Sequence, residues 1–263
     1  MTTAPIDGVA LHYEVHGSGE PLLLIHGLGS SGQDWEEQIL FFARSHRVIA
    51  FDLRGHGRSD KPKGGYSIER FAADAADLLR TLGVTQAHVV GISLGGAIAF
   101  QLALDHPGLV RTLTIVNSGP ELVMRTLAEK MAVGLRFVIV RLFGLPPLGR
   151  MVSKRLFPDP ALEAVRRGFE ERFALNQREP YLGSLRALIG WSVSNRLGEI
   201  RCPVLVVTAD QDYTPVALKE AYVAQLRDAR LKVVPDSHHA LPMERPAAFN
   251  EALGEFLGEQ GSA

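Results

Sequence analysis

Hydrophobic and polar positions alternate along "GVALHYEVHG", residues 8–17, the period of a half-buried strand. Asp7-Gly8 just before it predicts a hairpin turn. Four short apolar runs follow, at Leu22–Ile25, Arg47–Phe51, Ala87–Ile92 and Val110–Val116. Each is apolar on both faces, as the buried strands of a parallel sheet are. Helical periodicity fills the intervals at about 33–43, 67–82 and 94–105. In the second of these, Ile68, Phe71, Ala72, Ala75, Leu78, Leu79 and Leu82 share one face, and Gly83 supplies the stop. Strands alternating with helices build βαβ units, so the expected class is α/β with a mostly parallel sheet.

The alternation is interrupted once. From about Glu121 to Leu197 the pattern is helical, broken at Pro146-Pro147, Pro158–Pro160 and Pro180. It then resumes with a strand at Pro203–Thr208, a helix at Pro215–Leu226, a strand at Arg230–Val234 and a closing helix at Pro246–Leu257. The predicted organisation is one α/β core, residues 1–119 and 198–263, with a helical insertion at 120–197. The final "EQGSA" is expected to be loose.

Composition narrows the setting. Hydrophobic residues make up 46% and charged residues 22% of the 263, as in a soluble globular protein. The formal net charge of −1 offers no basic field for nucleic acid. "MAVGLRFVIVRLFG" (131–144) is interrupted by Arg136 and Arg141 and is too short to span a bilayer. The first residues lack a basic start followed by an apolar stretch, so no signal peptide, no membrane and a cytoplasmic location are expected. The single cysteine, Cys202, is expected to be a buried thiol.

The candidate chemistry lies where strand 87–92 gives way to helix 94–105. Gly91-Ile92-Ser93-Leu94-Gly95 places a serine on a tight strand-to-helix turn, with glycines where larger neighbours would clash. There the helix N-terminus favours developing negative charge. The alternative role for Ser93 is a helix N-cap. A nucleophilic serine needs an oxyanion site and a base. The loop His26-Gly27-Leu28-Gly29 follows a strand and can turn the Leu28 N–H inward; the Leu94 N–H would be the second donor. Neither G-x-x-x-x-G-K-[ST] nor G-x-G-x-x-G occurs at this turn. Of nine histidines, His238 and His239 follow the last strand, and adjacent side chains on extended backbone point opposite ways, so one of them serves. His26 and His56 fit loop-organising roles. Asp210 and Asp212 follow the strand at 203–208, and either could orient an imidazole. No metal-ligand spacing accompanies them.

With "HGLG", "FDLRGHGRSD", "GISLGG", "ADQDYTP" and "SHHALPMERP" in this order, the chain resembles the α/β-hydrolase superfamily, in its compact capped esterase-like branch. The resemblance spans nearly the whole chain. It implies an eight-stranded, mostly parallel sheet with helices on both faces and makes the helical insertion a cap. It puts the triad at Ser93, Asp212 and His239. Ala209 and His238 stand where the family usually has glycine. Asp52, Arg54 and Ser59 are expected to brace loops. The implied activity is cleavage of small carboxylic esters through an acyl-enzyme, with no cofactor or metal. Lactonase, C–C bond hydrolase and cofactor-free perhydrolase chemistry share the scaffold, as does a ligand receptor with slow turnover. Met131, Phe137, Val138, Leu142, Phe143 and Trp191 are expected either to line an apolar pocket or to form the cap's own core. Along the sequence, no cluster of cap arginines points to an anionic substrate.

Overall fold

The computed structural model of the chain describes residues 2–260. Its strands are β1 (Thr3–Ile6), β2 (Val9–His16), β3 (Glu20–Ile25), β4 (His46–Phe51), β5 (Ala87–Ile92), β6 (Val110–Val116), β7 (Val204–Ala209) and β8 (Ala229–Val234). They form one eight-stranded sheet in the order β1-β2-β4-β3-β5-β6-β7-β8. The β1–β2 and β2–β4 pairs are antiparallel and the rest parallel. Asp7 and Gly8 both take positive φ, 45° and 73°, and join β1 to β2 with Ile6 opposite Val9.

Helices cover both faces, because the central strands are apolar on both. On one side α2 (Ile68–Thr81), α3 (Leu94–Asp105) and α8 (Val216–Val223) pack on Leu23, Ile25, Val89 and Val206. On the other, α1 (Glu36–Phe42) and α10 (Pro246–Gln260) pack on Leu22, Val48, Val90 and Val207. The Ser67 hydroxyl starts α2 by accepting from the Arg70 N–H at 3.1 Å. The expected helix at 33–43 is instead a 3₁₀ turn, Gly32–Trp35, followed by α1. Glu259 and Gln260, expected to be loose, continue α10, where Glu259 pairs with Arg230; the rest of "EQGSA" lies outside the described residues.

Between β6 and β7 lie four helices, α4 (Leu127–Phe143), α5 (Leu145–Leu156), α6 (Glu163–Ala174) and α7 (Arg178–Leu188). They have their own core, built on Val140, Leu148, Phe157, Phe169, Phe173, Tyr181 and Leu185. Of the apolar residues expected there, Phe137 packs against this core and the others are placed differently. Met131, Val138, Leu142 and Phe143 lie on the exposed side of α4, from 50% to 68% accessible. Trp191 joins the sheet core and donates to Gln101 Oε1 at 3.0 Å. Overall apolarity marks this segment as helical but does not say which face of each helix turns inward.

Chain order reverses across β3: β4 lies on one side and β5 on the other. Ile25, the last residue of β3, pairs with Gly91 near the end of β5. The loops leaving these two strands therefore emerge side by side, at the kind of switch point where α/β sheets build their sites.

Candidate active site

Ser93 sits between β5 and α3 with φ 54° and ψ −115°, a sparsely populated conformation for a residue with a side chain. Its side chain makes no cap hydrogen bond, which removes the N-cap role. The backbone is fixed around it: its N–H donates to Val116 O at 3.0 Å, and its carbonyl accepts from Ser118 Oγ at 2.7 Å. The flanking glycines are a steric requirement. A Cβ on Gly91 would lie 2.1 Å from the Gly95 carbonyl oxygen, and one on Gly95 would lie 2.1 Å from that of Ile25.

The loop after β3 is held from beneath. His26 is fully buried; its Nδ1–H donates to Gly27 O at 2.8 Å and its Nε2 accepts from the Leu53 N–H at 3.0 Å. Burial holds its pKa down, so the neutral ring can do both. Asp52 accepts from the N–H groups of Gly32 and Arg58, each at 2.7 Å. The Ser59 hydroxyl donates to Asp52 O and accepts from the His12 N–H. Arg54 forms a buried two-pronged pair with Asp74. Thus "FDLRGHGRSD" is a brace between loops. Neither the Leu28 nor the Leu94 N–H has a hydrogen-bond partner among the described residues.

The structure separates the two aspartates and the two histidines. His239 Nδ1 is 2.5 Å from Asp212 Oδ1. Asp210 Oδ1 instead accepts from the Ser237 N–H at 3.1 Å. His238 is held by Glu244, which accepts from its N–H at 2.5 Å and from its Nδ1 at 2.8 Å. Asp212 is almost fully buried, and burial alone would raise its pKa. His239 and Lys219 outweigh that and hold the carboxyl well below the usual carboxylate range. Tyr213 stacks on the His239 ring at 4.2 Å between centroids and 19° between planes. The Ser93 hydroxyl makes no hydrogen bond among the described residues, and none of their side chains form a group of three or more His, Cys, Asp or Glu able to hold a metal.

Several residues that sequence patterns did not single out shape this end of the sheet. Lys219 of α8 is 1% accessible and places Nζ 2.6 Å from Asp212 Oδ2, with the Thr214 carbonyl also at 2.6 Å. Asn117, at φ 43° just beyond β6, donates Nδ2–H to the carbonyls of His238 (3.1 Å) and His239 (2.9 Å). Its Oδ1 accepts from the Ala209 N–H at 2.8 Å. From the cap, Asn176 donates to Gly29 O at 2.8 Å, Arg172 reaches Asp34, and Phe173 fills the space a Gly29 side chain would need. An asparagine right after an apolar strand was the one available sequence signal.

A family model described as the alpha/beta hydrolase fold matches residues 20–246. The chain belongs to the α/β-hydrolase fold family. This α/β hydrolase is 33% identical to a putative carbamate hydrolase RutD of Azorhizobium caulinodans, over 95% of each chain. It is 30% identical to 3-oxoadipate enol-lactonase 2 of Acinetobacter baylyi, covering 95% of this chain and 94% of that one. Among solved structures, the enol-lactonase from Burkholderia xenovorans LB400 superposes with a TM-score of 0.91 at 26% identity, covering 98% of this chain and all of that one. No helix among the described residues is long and apolar enough to cross a membrane.

Proposed function

We propose that the protein is a serine hydrolase that cleaves carboxylic esters through an acyl-enzyme on Ser93. The observation that carries this reading is the 2.5 Å contact between His239 Nδ1 and Asp212 Oδ1, at the same end of the sheet as the strained Ser93 turn. A buried carboxylate on Nδ1 keeps the proton there and leaves Nε2 free as a base. His239 takes the proton from Ser93 Oγ as the oxygen attacks the acyl carbon. The N–H groups of Leu28 and Leu94 receive the oxyanion. Collapse breaks the C–O bond, and the departing alkoxide takes the proton from His239. Water, deprotonated by the same imidazole, then attacks the acyl-enzyme, and Ser93 Oγ leaves with the proton. The Ser93–His239 hydrogen bond, absent from the free protein, forms when substrate closes the site, as such contacts commonly do.

A lactone is a cyclic ester and runs through the same steps to a hydroxy acid. That second reading is favoured by the likeness to two proteins named as enol-lactonases. The deciding assay is hydrolysis of p-nitrophenyl esters of increasing acyl length by the wild type beside Ser93→Ala. The wild type should turn over and the variant fall by roughly 10⁴-fold or more, to background. Equal turnover by both would remove Ser93 from the chemistry.

A further inference from the structure

Of the 17 residues of α4 only Val140 is buried. Leu127, Met131, Leu135, Val138 and Leu142 follow one another at intervals of four, four, three and four, and their exposure runs from 50% to 73%. At about 100° per residue and 1.5 Å of rise they make one continuous stripe about 22 Å long, opposite Val140 and the side that packs on the cap core. An apolar stripe on a helix normally faces the interior. This one faces solvent, over a length that monomers rarely leave bare.

Charge is divided unevenly between cap and core. Residues 120–197 hold 13 of the 28 Lys and Arg but only 7 of the 29 Asp and Glu, a net of +6, which leaves −7 for the rest of a chain whose total is −1. The near-zero total thus conceals a basic cap. Lys130 and Arg141 fall on one edge of the stripe, and Arg178 reaches the end of α4, where its guanidinium donates to Arg141 O at 3.4 Å. None of these three forms an ion pair with a described residue. The carboxylate of the first turn, Glu129, accepts from the N–H groups of Arg125 and Thr126 at 2.7 and 2.9 Å, on the side away from the stripe.

A partner for this face has to be apolar and anionic at once. A second copy presenting the same face would set two basic caps against each other. Nucleic acid would meet the cations and leave the stripe in water. A leaflet containing anionic lipid meets both demands: the apolar side chains enter the acyl boundary while Lys and Arg at the edge extend to the phosphates. No helix among the described residues can cross a bilayer, and none has to, because a helix lying in the interface buries one face only.

We propose that the α4 face of the cap is a docking surface for an anionic lipid interface, with Leu127, Met131, Leu135, Val138 and Leu142 inserted and Lys130, Arg141 and Arg178 on the headgroups. This inference does not depend on the proposed serine-hydrolase function.

The test is co-sedimentation of the full chain with sucrose-loaded vesicles of phosphatidylcholine, alone or with roughly 30% phosphatidylglycerol. The anionic vesicles should bind the protein about tenfold more strongly than the neutral ones, and about 0.5 M salt should remove most of that preference. Met131→Gln with Leu135→Gln should cut the partition coefficient on the order of tenfold through lost insertion. Lys130→Gln with Arg141→Gln should cut it on the order of tenfold and shrink the preference for anionic lipid. All four side chains are exposed, so both pairs should keep the wild-type Tm. Wild type that binds neither vesicle, binding indifferent to phosphatidylglycerol, or binding that neither pair weakens overturns the proposal. A stable dimer in sedimentation velocity that Met131→Gln with Leu135→Gln dissociates would give the face to a second copy and overturn it as well. The readout involves no turnover: loss of the Ser93 reading leaves it intact, and its own failure leaves Ser93 untouched.

Discussion

Replacing Lys219 by methionine would remove a permanent charge from beside the His239–Asp212 pair while keeping most of the side-chain volume. Lys219 Nζ lies 2.6 Å from Asp212 Oδ2, and His239 Nδ1 lies 2.5 Å from Oδ1 of the same carboxylate. One buried carboxylate is thus shared between a permanent cation and the ring that, in the proposed mechanism, takes the proton of Ser93. The path through the carboxylate puts the ammonium about 7 Å from the ring, where two unit charges interact by about 2.4 kcal/mol at an effective dielectric of about 20. Lys219 disfavours a positive charge on the ring, so its loss favours the protonated form, which cannot act as the base. The other groups facing the ring, Asp212, Arg155 across Tyr213, and Glu244 through His238, stay in place. The acid limb of kcat/KM for a neutral ester should therefore move to higher pH in Lys219→Met. Stability should fall by about 3 kcal/mol, near the low end for a broken buried pair, because Asp212 keeps His239 and accepts from the Thr214 hydroxyl. A pH–rate profile beside a thermal melt reads both. A lowered Tm with an acid limb that stays put, or moves down, would refute the electrostatic role and leave Lys219 a structural ion pair.

Gly95→Ala puts a methyl group 2.1 Å from the Ile25 carbonyl oxygen, between two backbones that cannot part, and should cost more than about 4 kcal/mol, read as lost soluble yield and Tm. His56 is fully buried with its pKa pushed down to about 3, so below about 6.5 the unfolded chain takes up a proton that the native state refuses, and stability falls with pH. His56→Phe removes that term: the difference in unfolding free energy between the two proteins should change by about 2 kcal/mol in the variant's favour between pH 7 and 5, and urea curves showing a constant difference would contradict it. Asn117→Ala loses the bonds to the carbonyls of His238 and His239 and to the Ala209 N–H; kcat should drop roughly tenfold or more with little change in KM, at a cost of about 2–3 kcal/mol, and an unaltered kcat would show that the loops hold without it.

The parts of this fold legible in the sequence are those set by local periodicity and local sterics. The run at Leu22–Ile25 lies within β3, and the amphipathic stripe at 67–82 is α2, bounded by a serine cap and a glycine. Asp7-Gly8 and the glycines about Ser93 were equally legible, because each answers to a backbone demand within a few residues. Residues acting across long separations carried no such mark. Lys219 looks like any surface lysine of a short helix until α8 docks and buries it. Arg155 on α5 and Tyr213 beyond β7 lie far apart in sequence, and only the docked cap stacks one over the other. The exposed side of α4 shows the same limit: apolar positions at 131, 138 and 142 predict a buried stripe, yet the helix buries Val140 instead.

These separations divide the site by origin. Ser93, Asp212 and His239 stand on loops at the ends of sheet strands; Lys219 holds Asp212 and Asn117 holds the His239 backbone from the core. The residues that meet them from the cap, Arg155, Phe173 and Asn176, all come from the segment between β6 and β7. The two sets meet at one stack, Arg155 over Tyr213 over His239, and along the Gly29 loop, where Asn176 donates to the Gly29 carbonyl and Phe173 packs beside it. On the proposed mechanism, a substitution within the cap should change what is bound while leaving the 2.5 Å His239–Asp212 contact intact, whereas one at Lys219 or Asn117 should alter turnover of every substrate alike. Ratios between substrates thus report on the cap, and pH profiles common to all substrates report on the core.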